Sequence, residues 1–407
     1  VPDPSEPATG SRRPPSRRQL LVVAVAVVLV GAVVVLVWPR SGGTAAAAAN
    51  PSISITHSGC GNGWTDPHGG AQTLTLANTD SIAGDADLVA VGGPDNGKVY
   101  GEVEGIGPGT TVTMPVTLGP GGYAIRCVME DLDPVDGPTV RIGGHAVSNP
   151  GAVPVTSTDL LGPMQAYQAY VVSGVADLVT RTDALAAAVR SGDIAQAKTA
   201  WLAAHLAYET LGAAYNAFGD YDREINGTAA GLPGGVNDPN FTGFHRVEYG
   251  LWHGETGASL AGATNQLDTF VQGLQHDLPQ VQPQAVDMGL RAHEILENTL
   301  QFELTGRTDY GSDTNLATSN ANLAGDREVV SVLRPLLTTR YPGLSDVDSW
   351  SARFQALLDA QHHPDGSWTP VGQLSQQARE KLDGTLSQLV EYLAPIATIT
   401  EPRRTPQ

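Results

Sequence analysis

Cysteine is nearly absent: 407 residues hold two, Cys60 and Cys127, too few for a disulfide framework. Charge is sparse at 16% of residues, and basic charge is sparser still, with 23 Lys and Arg against 42 Asp and Glu and a formal net charge of −19. Such a surface repels nucleic acid and anionic lipid and attracts cations, so metal ions are expected as partners and nucleic acid is not. The six Trp are scattered and form no clustered aromatic platform, which argues against carbohydrate or cell-wall binding. No internal repeat is visible, and no Ser/His/Asp or Cys/His arrangement supports nucleophilic catalysis. The length suggests two or three domains.

The N-terminus has its own composition. Residues 1–19 are polar, with Arg12, Arg13, Arg17 and Arg18 clustered, and read as a cytoplasmic tail. Leu20 to Trp38 then carries no charge. At ~1.5 Å per residue it spans about 28 Å, close to the hydrocarbon thickness of a bilayer. Residues 20–38 are therefore expected to be a retained transmembrane anchor or a cleaved signal sequence. Length favours the anchor, and the alanine run Ala45–Ala49 offers a cleavage site. No cysteine follows the apolar run, so a lipoprotein anchor is excluded. Either way the remainder belongs to the cell envelope, on the extracytoplasmic face, as an anchored or secreted protein.

Residues 50–146 read as short strands between Gly- and Pro-rich turns: 53–56, 72–78, 88–91, 99–103, 111–118, 123–129 and 139–142. Seven strands at that spacing predict an antiparallel β-sandwich. The run Gly119-Pro120-Gly121-Gly122-Tyr123-Ala124-Ile125-Arg126-Cys127 resembles the cupredoxin strand in which Gly-x-Tyr leads to a copper-binding Cys. Val128, Met129, Glu130 and Asp131 then stand where a blue-copper site needs a His. Two readings stay open. Cys60 and Cys127 form a disulfide, the commoner fate in an oxidising compartment. Alternatively they bind copper with Met129, Glu102 or Glu104, which would allow oxidation of Fe²⁺. Residues 147–156 read as a linker of limited stiffness.

From Leu160 the apolar period changes from two to about 3.6, and 157–397 is expected to be all-helical, arranged as two packed bundles. Helices are predicted at 194–218, 258–277, 284–304, 315–337, 346–360 and 374–393, with Asp193 as an N-cap. His205 and Glu209 are i,i+4 neighbours. The stretch Gly243-Phe244-His245-Arg246-Val247-Glu248 places an imidazole and a carboxylate on one side of a short helix, a spacing that suits a metal ion. His293-Glu294-Ile295-Leu296-Glu297 begins like a zincin helix, but Glu297 stands where the second histidine belongs, so it reads as an ordinary helix face. His362-His363 reads as incidental.

The block from Asp238 to Tyr249 resembles the signature of the imelysin-like family, more closely its EfeO-type branch of bacterial iron-uptake proteins. That resemblance covers the whole helical region and implies a cupredoxin-like domain before it. It also implies a metal site built from Glu209, Asp220 or Asp222, His245 and Glu248, with His205 beside it. One imidazole among carboxylates is a hard set that suits iron. The implied partners are an iron permease of the membrane and a haem-containing dye-decolourising peroxidase. On this reading the chain captures and delivers iron rather than catalysing a reaction, with copper-assisted oxidation in the β domain as an addition. The alternative is a metallopeptidase, a label the imelysin family has carried.

Overall fold

The computed structural model describes residues 52–406 apart from 146, 148, 282 and 283. The charge-free stretch 20–38 and the tail before it lie outside the described residues. Among those described, no helix is long and apolar enough to cross a membrane.

A β-sheet region comes first: β1 (Ile53–Ser54), β2 (Gly70–Ala77), β3 (Gly84–Ala90), β4 (Val99–Ile106), β5 (Thr111–Leu118), β6 (Gly121–Met129), β7 (Val135–Asp136) and β8 (Val140–Ile142). One sheet runs β1-β2-β5; the other runs β4-β3-β6-β7, with β8 also on β6. Alternation drives the layering. Met114, Val116 and Leu118 of β5 and Tyr123, Ile125, Cys127 and Met129 of β6 all enter one shared core. Two features depart from the sequence reading. β1 pairs with β2 in parallel, so the arrangement is not wholly antiparallel. The two-residue strand β7 has too little pattern to be seen in sequence.

Cys60 and Cys127 form a disulfide, closing a loop of 67 residues. This corrects the copper expectation. Both thiolates are taken, Met129 is fully buried in the apolar core, and Glu102 sits on the opposite face of its sheet, level with Asp87. Loop closure of this length is worth about 4 kcal/mol on the chain-entropy account. Cys60→Ala with Cys127→Ala should therefore lower the denaturant midpoint of the β region clearly. An unchanged midpoint would show that the bridge does not constrain the unfolded chain.

The outer face of the larger sheet carries a row of charge. Glu102, Asp87, Arg126 and Asp136 are cross-strand neighbours in that order. Arg126 pairs with Asp136 at 2.8 Å, and Arg403 near the C-terminus makes two bonds to Glu102 at 2.9 and 2.5 Å. Asp87 is 3% exposed, and burial, with Glu102 beside it, pushes its carboxyl up to about 7. The connection to the helices is pinned rather than loose. Ala152 pairs with Val99, Val155 pairs with Pro402, and the Arg404 guanidinium donates to the carbonyls of Met129 and Leu132.

Ten α-helices are described next: α1 (Ser157–Ser191), α2 (Ile194–Glu209), α3 (Tyr215–Phe218), α4 (Asp220–Asn226), α5 (Gly243–Trp252), α6 (Ala258–Asp277), α7 (Ala285–Asn298), α8 (Asn315–Arg340), α9 (Leu344–Asp359) and α10 (Gln376–Thr400). A Thr156/Asp159 capping box starts α1, Gly192 at φ 78° ends it, and Asp193 caps α2. α1 packs on α2 and α6, α7 packs on α8 and α10, and α9 packs on α10, all around one continuous core.

Two predicted helices break, and both breaks shape the site. The helix expected to run to Phe218 stops at Glu209. There the Tyr215 and Tyr170 hydroxyls take the carbonyls of Tyr208 and Thr210 that a continuing helix would have used. Gly325 of α8 lies against Thr210, where a Cβ would come within 2.6 Å of its carbonyl oxygen. The helix expected over 284–304 changes at Thr299 into a π turn, Thr299–Glu303. Such a turn shifts the helix face by a residue, a device frequent at functional sites.

Candidate metal centre

Helix α5 is seated by its neighbours. Gly243 has φ 77°, and a Cβ there would lie 2.1 Å from the Ile225 carbonyl oxygen. Only glycine lets the start of α5 press against the end of α4 in this way. The Trp201 indole of α2 donates to the Phe244 carbonyl at 2.9 Å. Phe244, Val247 and Leu251 fill the core, so His245 and Glu248, 3% and 1% exposed, are buried from the same side.

The two do different jobs. His245 lines a cavity of about 300 Å³, with Glu209, Asp222 and Glu303 also in its wall. Glu248 is not in that wall. Its Oε1 accepts from the Tyr310 N–H at 3.0 Å, the Ser312 N–H at 3.1 Å and the Ser312 hydroxyl at 2.6 Å. Its Oε2 lies 3.3 Å from His245 Nδ1. A carboxylate so bound orients the imidazole and leaves Nε2 as the ring nitrogen available to a ligand.

Each cavity carboxylate has its own donors. Glu209 Oε1 accepts from Asn226 at 2.8 Å and lies 3.0 Å from His205 Nε2, near enough for an ion pair but off the line of a good hydrogen bond. With its amide turned nitrogen-first, Asn322 donates to Glu209 Oε2 at 2.8 Å. The Tyr208 hydroxyl donates to Asp222 at 2.7 Å. Glu303 accepts from Thr308 at 2.6 Å and from Asn315 at 2.8 Å.

The same burial therefore ends in opposite shifts. Burial works to raise Glu209 and Glu248, but the adjacent His205 and His245, with hydrogen bonds from Asn226 and Ser312 in turn, hold both below the ordinary carboxylate range. Burial raises Asp222, and the Tyr208 hydroxyl offsets only part of that. Burial and the charge of Glu209 raise Glu303. Two carboxylates are thus set to be ionised and two to hold a proton more tightly.

Asp220 stands apart. Its side chain is 82% exposed and pairs with Arg223 at 3.1 Å. His205 stacks on Trp201 with its ring 5.4 Å from that of His245, beside the site as the sequence suggested. Sequence reasoning missed Glu303, because nothing in the pattern marks a π turn that carries it inward. His293 and Glu297 lie on a partly exposed helix face, and His362 stacks on Trp368. Among the described residues, no group of three or more His, Cys, Asp or Glu already stands around a common metal position. The cavity carboxylates are held by amide, hydroxyl and imidazole donors instead.

The sequence profile of the imelysin family (peptidase family M75) matches residues 163–396, more than half of the chain. The iron uptake system component EfeO of Escherichia coli strain K12 is 31% identical over 299 residues, covering 73% of this chain and 78% of that protein. The proteins of that name from Escherichia coli O157:H7 and Shigella flexneri show the same identity and coverage. The matched region contains every residue of the cavity described above. This chain belongs to the imelysin family, as an EfeO-type protein.

Proposed function

We propose that this protein is the extracytoplasmic iron-binding component of a bacterial iron-uptake system. The observation that carries the reading is one imidazole and three carboxylates, His245 with the buried Glu209 and Glu303 and the half-buried Asp222, around one cavity in a chain akin to iron uptake components. A hard oxygen-rich set with a single nitrogen suits Fe²⁺ or Fe³⁺. Glu248 fixes His245, and Asp220 takes no part. Iron is cargo here. It arrives by displacing the internal hydrogen bonds of the carboxylates and leaves when they reclaim them. Delivery would be to a membrane permease, with a haem-containing dye-decolourising peroxidase as a second partner.

The β region would be a cupredoxin-like module in which the disulfide stands in place of a copper site. A disulfide also fits an oxidising compartment outside the cytoplasm. Residues 20–38 would tether the protein to the membrane or direct its export. The peptidase reading has less behind it, since both oxygens of Glu248 are engaged and that motif offers no free general base.

The test is a calorimetric titration of the full-length protein with Fe²⁺ under argon and with Fe³⁺. Micromolar or tighter binding is expected, about −8 kcal/mol or better. Affinity should fall as pH is lowered, starting above the ordinary carboxylate range, because iron must displace protons from Asp222 and Glu303. Failure to bind either ion would overturn the reading.

A further inference from the structure

The cavity is larger than an ion needs. Its volume is about 300 Å³, room for several small groups beside a metal ion. Its lining is also mixed. Beside the acids and His245, helix α7 contributes Arg291, Ile295 and Asn298, at spacings of four and three residues on one helix face. Arg291 and Asn298 are hydrogen-bond donors, which a bare cation would not use.

Arg291 is held and yet incomplete. Its Nη1 bonds Glu294 at 2.8 Å, and its side chain is 17% exposed. Its Nε is buried and has no acceptor among the described residues. Asn226, also in the lining, gives its amide nitrogen to Glu209 and keeps a buried carbonyl oxygen with no donor. An unmet donor and an unmet acceptor in one cavity are each costly, and a ligand carrying both functions would satisfy both. The donor is a guanidinium, whose planar fork matches a carboxylate. Arg291 is also near enough to draw the Asp222 carboxyl downward.

We propose that iron occupies this cavity together with a small carboxylate-type oxyanion, a bicarbonate or a hydroxycarboxylate, held by Arg291 and Asn298 and seated between them and the metal. This rests on the iron reading above. His245 and three carboxylates leave open positions on a six-coordinate iron. An anion that fills them keeps water from binding there and ionising on the metal. The anion's hydroxyl hydrogen, present in bicarbonate and in hydroxycarboxylates, meets the free Asn226 oxygen.

The experiment titrates the full-length protein with Fe²⁺ under argon in carbonate-free buffer, then with bicarbonate, then with citrate. After desalting, ¹⁴C-labelled anion retained per iron is counted. At least one anion should tighten iron binding tenfold or more and remain at about one per iron. In Arg291→Gln the ratio of anion-supported to anion-free affinity should fall to near one, and the label should be lost. Bicarbonate and citrate arms show which source supplies the anion. Equal affinity with and without anion, or an undiminished ratio in Arg291→Gln, would overturn this proposal and leave iron binding standing. No iron binding in any arm would overturn both.

Discussion

The His245→Ala protein should bind iron at least a hundredfold more weakly than the parent chain, a loss of ~3 kcal/mol or more. His245 is the one imidazole lining the cavity, together with Glu209, Asp222 and Glu303, and on the proposed reading it is the one nitrogen ligand. Its removal takes away a metal bond and also leaves Glu248 Oε2 without its partner at 3.3 Å. Glu248→Ala should act at one remove. The imidazole stays but loses the group that fixes its ring, so a ten- to hundredfold loss is expected, the usual scale for an orienting partner. Tyr310 and Ser312 also lose their common acceptor, so Glu248→Ala should destabilise the metal-free protein as well. Calorimetric titration read beside a thermal melt separates the two effects. A Glu248→Ala loss larger than that of His245→Ala would reverse the assignment and make Glu248 the ligand.

That division of labour within four residues marks where sequence reading stops. The His-x-x-Glu spacing fixes that both groups share a helix side, and the apolar residues around them, Phe244, Val247 and Leu251, fix that the helix is pressed into a core. Nothing in the spacing says that Glu248 meets the 310–312 segment while His245 meets the cavity, because that segment is sixty residues away. Glu209 and Asp222 were legible through the family resemblance. Asp220 fitted the same pattern equally well, and only the orientation of α4, a helix of seven residues, turns it to solvent. The β region was readable where strands alternate, as in 111–118. It was not readable at β7, where two residues pair with β6 only because the sheet is already there. The linker read as loose from its glycines and prolines, yet its fixing comes from Val99, Pro402 and Arg340, partners distant in sequence.

Glu303, which the sequence hid, gives the sharpest test of how the cavity is balanced. Burial and the charge of Glu209 raise its carboxyl, so above that raised value the folded protein holds an unwelcome charge. The sign follows from linkage. A group raised on folding contributes stability that is fully present below its unfolded value and is lost as pH rises through its folded value. Glu303→Gln removes the charge, keeps the shape and still offers an oxygen to Asn315. The metal-free variant should therefore be more stable than the parent at pH 8, with the gain fading as pH falls into the ordinary carboxylate range. Glu209→Gln should do the opposite. That carboxyl is held low by His205 and Asn226, so its stabilisation is present above the ordinary carboxylate range and lost in acid. Both variants should bind iron at least tenfold more weakly, and added iron should raise the parent's melting temperature more than either variant's. Melts at pH 4, 6 and 8, with and without iron, read all of this in one series. If Glu303→Gln is less stable than the parent at pH 8, the carboxylate is a structural hydrogen-bond acceptor for Thr308 and Asn315 and not a group kept at a cost for its cargo. If it is more stable and binds iron as well as the parent, the cavity holds its metal without that wall.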